Sequence, residues 1–124
     1  MQTEKKDMLT ERIIACCFKV HSELGVGFYE KVYHNALKLS LEKVKLEHQT
    51  EKGFPIFFQE KKIGSLRLDL IVEEKIIVEV KALIGNIPDV FKYQTLSYLK
   101  VSYLRTGLLV NFGNKSCQIK RFIN

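Results

Sequence analysis

The stretch Leu66-Arg67-Leu68-Asp69-Leu70-Ile71-Val72-Glu73-Glu74-Lys75-Ile76-Ile77-Val78-Glu79-Val80-Lys81 holds two apolar runs joined by three charged residues. Leu66, Leu68, Leu70 and Val72 alternate with Arg67, Asp69 and Ile71; Ile76, Val78 and Val80 alternate with Ile77, Glu79 and Lys81. A period of two is that of a strand with one apolar face, so the stretch predicts a β-hairpin turning at Glu73-Glu74-Lys75. Keeping both apolar faces together requires paired residue numbers to sum to an even value. Val72 then faces Ile76, Asp69 faces Glu79 and Arg67 faces Lys81, with the polar side chains on one face.

Two carboxylates directly opposed repel unless a proton or a cation lies between them. Hard oxygen ligands suit Mg²⁺ or Mn²⁺, which keep several waters and accept phosphate oxygens. Such an ion polarises a phosphodiester and lowers the pKa of a bound water. Lys81, two residues after Glu79, is placed to orient that water. Glu-x-Lys occurs four times, at Glu4/Lys6, Glu60/Lys62, Glu73/Lys75 and Glu79/Lys81, so the tripeptide alone selects nothing. Only Glu79 and Lys81 lie in a strongly apolar strand, where unpaired charge is costly to bury, and follow an Asp of matching phase. On the residues alone, a metal site and a solvated outer hairpin face fit equally well.

Outward from the hairpin, Leu9, Ile13, Cys16, Cys17, Val20 and Leu24 recur at helical spacing and Gly25 follows as a stop. Phe28, Val32, Ala36, Leu37 and Leu41 repeat the period, predicting a second helix packed on the first. Phe54 to Phe58 reads as a strand whose Pro55 favours an edge, followed by a turn near Glu60 to Lys62. Pro88 and Asp89 open a third helix with Val90, Tyr93, Leu96 and Leu99 as its buried stripe. Leu108 to Val110 is a buried strand, Asn111-Phe112-Gly113-Asn114 is turn chemistry, and Gln118 to Ile123 returns as a last strand. The order is α-α-β-β-β-α-β-β.

The 124 residues are expected to form one domain around one core. Three cysteines, two adjacent at Cys16 and Cys17, do not make a disulfide framework and read as reduced core thiols of a cytoplasmic protein. The segment Met1 to Thr10 is polar, and the apolar residues after it are broken by Glu11, Arg12, Lys19 and His21, unlike a signal peptide or a membrane span. Lys and Arg number 20 against 14 acidic residues, a net charge of +6. That suits a polyanionic partner, and it equally suits simple solubility. Tyr33 and Tyr98 read as core aromatics, and His21, His34 and His48, without zinc-ligand spacing, as ordinary surface or half-buried residues.

The spacing of Asp69 from Glu79-Val80-Lys81 resembles the signature of the PD-(D/E)XK nuclease superfamily. Gly27-Phe28-Tyr29-Glu30-Lys31-Val32-Tyr33 is similar to the motif that names the small bacterial GxxExxY proteins, placed in that superfamily. The likeness runs on through Arg67-Leu68-Asp69, Val78 to Ala82, Gln94 with Tyr98-Leu99-Lys100, and Asn111-Phe112-Gly113, so it covers nearly the whole chain from Leu9. It departs at Leu68, which stands where the motif has Pro and where no ligand is held.

The resemblance implies a restriction-endonuclease-like α/β core, a mixed sheet flanked by helices. It implies that Glu30 reaches the metal cleft from the early helix, that Gln94 approaches from the helix after the Glu79 strand, and that the Val80 carbonyl ligates metal beside Asp69 and Glu79. The expected activity is Mg²⁺-dependent (or Mn²⁺-dependent) hydrolysis of phosphodiester bonds in nucleic acid, DNA first, with Lys81 assisting the water. Two alternatives stand beside it: a non-catalytic nucleic-acid-binding or adaptor module that keeps the fold, and an enzyme for another phosphate ester. A homodimer is one way for so small a domain to span a duplex. No helix-turn-helix or zinc finger is visible, so structure-selective action is expected.

Overall fold

The structure, a computed structural model, describes residues 7–124. The Glu4/Lys6 tripeptide lies outside the described residues. Eight elements follow the expected order: α1 (Met8–Leu24), α2 (Glu30–Lys43), β1 (His48–Phe58), β2 (Lys61–Val72), β3 (Ile76–Lys81), α3 (Asp89–Ser102), β4 (Thr106–Asn111) and β5 (Gln118–Ile123). The strands form one sheet in the order β1-β2-β3-β4-β5. Only β3 and β4 run parallel, joined by α3; the other neighbours are antiparallel. A parallel pair needs such a crossover, which a hairpin turn cannot supply.

The sheet is covered on both faces. Ile13 and Cys17 of α1 and Leu37 and Leu41 of α2 pack with Leu70, Val78, Val80, Leu108 and Val110 on one side. On the other, Leu99 of α3 packs with Leu68, Ile71 and Ile77. Both β3 and β4 are consequently buried throughout except at Lys81, the near-continuous apolar pattern of strands covered twice. Asp7 caps α1, its carboxylate accepting the Thr10 N–H at 3.3 Å and the Thr10 hydroxyl at 2.7 Å.

The hairpin turns at Glu73 and Glu74, both at positive φ, and Val72 pairs with Ile76 as its parity requires. The second hairpin turns on Gln59 and Glu60, again both at positive φ, the twist a two-residue connection between strands demands. Pro55 sits in β1, an edge strand, as expected.

Three local expectations are corrected. Phe28 precedes α2 and is exposed, and Val32 and Ala36 are half-buried; Leu37 and Leu41 are buried as expected, and Tyr33 and His34 complete the stripe. In α3 only Thr95 and Leu99 are buried, while Val90, Tyr93 and Leu96 are exposed. The helix carries apolar residues on two faces, and the sheet takes the one bearing Thr95 and Leu99. Finally, β2 does not alternate strictly. Leu66 and Leu68 join Ile71 on the α3 side, whereas Leu70 and Val72 face α1 and α2, so the strand changes phase at Asp69.

Candidate metal centre and its family

The phase change builds the site. The β2–β3 ladder stops at Leu70↔Val78, and the β1–β2 ladder passes from Thr50↔Leu70 to Lys52↔Leu68 without an Asp69 rung. Glu51, opposite Asp69, takes a φ of 52°, and its carbonyl is met by the Arg67 guanidinium at 3.2 Å. The expected Arg67–Lys81 neighbourhood on one face is thus replaced by an Arg67 turned to β1. Irregularities of this kind bend a strand and re-aim a side chain, and they recur beside active sites.

Into the opened ladder come the two carboxylates. The Asp69 N–H donates to Glu79 Oε2 at 3.2 Å, and the Val80 N–H donates to Asp69 Oδ2 at 3.1 Å. Each acid therefore replaces a backbone carbonyl for the other strand and keeps oxygen lone pairs to spare. The Lys81 carbonyl accepts the Phe112 N–H from the β4 side. By the alternation of a strand, Val80 directs its own C=O the opposite way, toward the Asp69 side.

Glu79 is 5% exposed. Burial, and then the neighbouring Asp69 charge, push its carboxyl up to about 8. Burial, and then the charges of Glu79 and Asp69, likewise raise the Tyr98 phenol. Lys81 lies with its ammonium 4.2 Å from the centre of the Phe91 ring on α3, a cation–π contact that holds it against that helix.

Glu30 opens α2. Burial raises its carboxyl; Lys81 and His34 pull it down and Asp69 pushes it up, so it shares the field of the cleft. Even so, no three or more His, Cys, Asp or Glu side chains among the described residues close into a group able to hold a metal ion. Gln94 is exposed on α3.

His34, expected to be an ordinary surface or half-buried residue, is buried, and its Nε2–H donates to the Asp69 carbonyl at 3.2 Å. It ties α2 to the strand at the residue where the phase changes. The only signal in the sequence was its position four residues after Glu30, which puts both on one helix face.

Tyr33 explains its motif. Its hydroxyl donates to the Gly25 carbonyl at 2.7 Å and accepts the Phe28 N–H at 3.3 Å, while its ring stacks on Phe112 with centroids 4.9 Å apart. Gly27 between them has a φ of 107°, open to glycine and rarely to other residues. The loop that delivers Glu30 is thereby pinned to the end of β4. A surface hollow of about 540 Å³ lies elsewhere, lined by residues such as Glu42, His48 and Glu73.

The model of the PD-(D/E)XK nuclease superfamily matches residues 7–122. The chain belongs to the PD-(D/E)XK nuclease superfamily. Members of this superfamily are nucleases that generally use divalent metal ions. Comparison with curated proteins gives no match. A solved structure titled "Crystal structure of SSO0001" superposes with a TM-score of 0.61 at 24% identity, over 77% of this chain and 50% of that one. The likeness is one of fold, and this chain spans half the length of that protein.

The donor set suits the divalent ion that the superfamily uses. The buried Glu79 carboxyl meets the half-buried Asp69 carboxylate, and burial together with their mutual repulsion raises the Glu79 pKa; a cation between them relieves that repulsion. Mg²⁺ is commonly held by one or two carboxylates with waters and substrate phosphates, so a third acidic side chain is not required. No helix among the described residues is long and apolar enough to cross a membrane.

Proposed function

We propose that this chain is a Mg²⁺-dependent (or Mn²⁺-dependent) nuclease of the GxxExxY type, one nuclease-like domain that hydrolyses phosphodiester bonds in nucleic acid, DNA first. The observation that carries the reading is the reciprocal Asp69–Glu79 arrangement across the opened ladder, with Lys81 beside it. Asp69, Glu79 and the Val80 carbonyl would hold the metal, with Glu30 reaching the same cleft from α2. When bound, the ion supplies a water of lowered pKa and stabilises charge on the phosphate oxygens.

The chain's own groups do the rest. The Lys81 ammonium, backed by Phe91, donates to the attacking water or to a nonbridging phosphate oxygen and offsets its charge. Tyr98, its phenol raised by burial and by the neighbouring carboxylates, keeps its proton. Gln94 contacts substrate from the exposed side of α3. His34 holds the Asp69 backbone, and through it the carboxylate, at the productive angle.

The test is cleavage of a labelled panel of linear, single-stranded and branched DNA and RNA with Mg²⁺ or Mn²⁺, comparing wild type with Lys81→Ala purified identically. Metal-dependent cutting that is lost in Lys81→Ala supports the reading. Cutting of equal rate in both proteins identifies a contaminant, and binding without cutting favours a non-catalytic module.

A further inference from the structure

Ile84 follows Lys81 by three residues, in the loop between β3 and α3, and is 92% exposed. Exposed loop tips are usually polar and loosely held. This one is clasped on both sides. The buried Asn111 accepts the Leu83 N–H at 2.7 Å and donates to the Leu83 carbonyl at 2.9 Å. Asn114 does the same for Gly85, accepting its N–H and donating to its carbonyl, each at 2.8 Å.

Both amides are themselves held, each donating to Gln118 Oε1. Gly113 lies so close under the loop that a Cβ there would collide with the Leu83 backbone. Four hydrogen bonds from two side chains thus immobilise the residues either side of Ile84 and leave its own side chain in water.

A second exposed side chain stands on the other loop that leads into the site. Tyr29, 73% exposed, immediately precedes Glu30 in the loop that Tyr33 pins. It occupies the N-cap position of α2 without a side-chain capping bond, so its ring has no evident structural task. Both loops are tied to one aromatic stack: Tyr33 lies on Phe112, and His21, stacked on Phe112 in turn, meets the Asn114 carbonyl at 2.7 Å.

Exposed apolar side chains two residues before Lys31 and three after Lys81 suit a ligand that is anionic yet carries flat apolar faces, which describes nucleic acid with unstacked bases. A continuous duplex hides those faces, whereas single strands, ends and branches offer them to aromatic and aliphatic side chains.

We propose that Ile84 and Tyr29 are a base-engaging rim of the cleft, wedging and stacking against unpaired bases, and that nucleic acid with unpaired bases is the preferred substrate class. This rests on the nuclease reading above.

The experiment measures anisotropy of a labelled single strand and of the matching duplex with wild type, Tyr29→Ala, Ile84→Ser and the double variant. EDTA is present throughout, so no cleavage enters. Neither side chain carries a clasp or a cap, so the fold is expected to survive, with unfolding midpoints as the control. The expected result is single-strand binding about fivefold or more weaker in each single variant, with duplex binding changed by less than about twofold. A 2-aminopurine base in the single strand should brighten with wild type and lose that response in Ile84→Ser. Wild type that binds while all variants bind alike overturns the rim and leaves the nuclease reading standing. Wild type that binds no single strand overturns the rim, and the nuclease reading is then decided by the metal-dependent cleavage panel alone. A change of oligomeric state in the variants with unchanged binding assigns the surface to a second copy and overturns the rim.

Discussion

The Asp69 carboxylate accepts the Val80 N–H at 3.1 Å, where the next rung of the hairpin would have used the Leu68 carbonyl. The site is therefore a break in the sheet filled by side chains. A regular ladder would leave no backbone carbonyl free and no space between the strands. The break supplies both, and its carboxylates hold the strands together while leaving lone pairs for a ligand.

The first prediction concerns Glu79 and pH. Its folded carboxyl is raised from the ordinary 4.5 to about 8. Between those values the folded protein keeps a proton that the unfolded chain releases, so folding becomes less favourable as pH rises. The stability contributed by this group is complete below 4.5 and is lost as pH climbs through about 8. In metal-free buffer the denaturant midpoint of wild type should fall across that window, and Glu79→Gln should flatten the fall. Saturating Mg²⁺ should raise the wild-type midpoint most at the alkaline end. An identical slope in the variant would show that the proton is not on Glu79.

His34 is expected to act on position. His34→Ala leaves the Asp69 carbonyl without its buried donor, which costs about 1–3 kcal/mol, read from urea unfolding. The same variant should weaken Mn²⁺ binding, and His34→Gln, which restores a donor, should recover part of both losses. Stability lost with metal affinity intact would reduce His34 to a packing residue.

For Tyr33, removal of the hydroxyl alone separates the loop clasp from the ring stack. Tyr33→Phe keeps the stack on Phe112 and gives up the bonds to Gly25 and Phe28. The expected destabilisation is about 0.5–1.5 kcal/mol, with faster amide hydrogen exchange at residues 26–29. Exchange unchanged in that loop would mean that the ring, not the hydroxyl, holds it.

Gly113→Ala should be among the most damaging small changes in the chain. The added methyl meets the Leu83 backbone, and a clash with backbone is relieved only by moving the loop, at about 1–3 kcal/mol or more. Thermal unfolding and the loop's exchange rates report it together.

Much of this was legible in the sequence because the elements are strongly periodic. The switch from helical to two-residue spacing marks the hairpin, and parity alone brings Asp69 opposite Glu79. Parity assumes an unbroken ladder, however. The phase change at Asp69 depends on Glu51 adopting a positive φ on the neighbouring strand, and no local pattern in β2 records that.

The face of α3 was misread for a different reason. Val90, Tyr93 and Leu96 make as good a stripe as Phe91, Thr95 and Leu99, and only the sheet decides between them. The first half of β1, with Gln49, Thr50, Glu51 and Lys52, has too little apolar character to announce a strand; its pairing to β2 makes it one. His34 was hidden because a histidine that serves a carbonyl looks like any other until the carbonyl is placed.

The central claim is that Asp69 and Glu79 together hold a divalent ion. The most direct measurement is calorimetric titration of Mn²⁺ and Mg²⁺ into metal-free wild type and into Asp69→Asn, above the Glu79 pKa. The expected result is saturable binding by wild type, weakened by about tenfold or more in Asp69→Asn, in a variant whose unfolding midpoint shows it to be folded. Equal binding by the two proteins, or none by wild type even with a noncleavable oligonucleotide present, would contradict the claim.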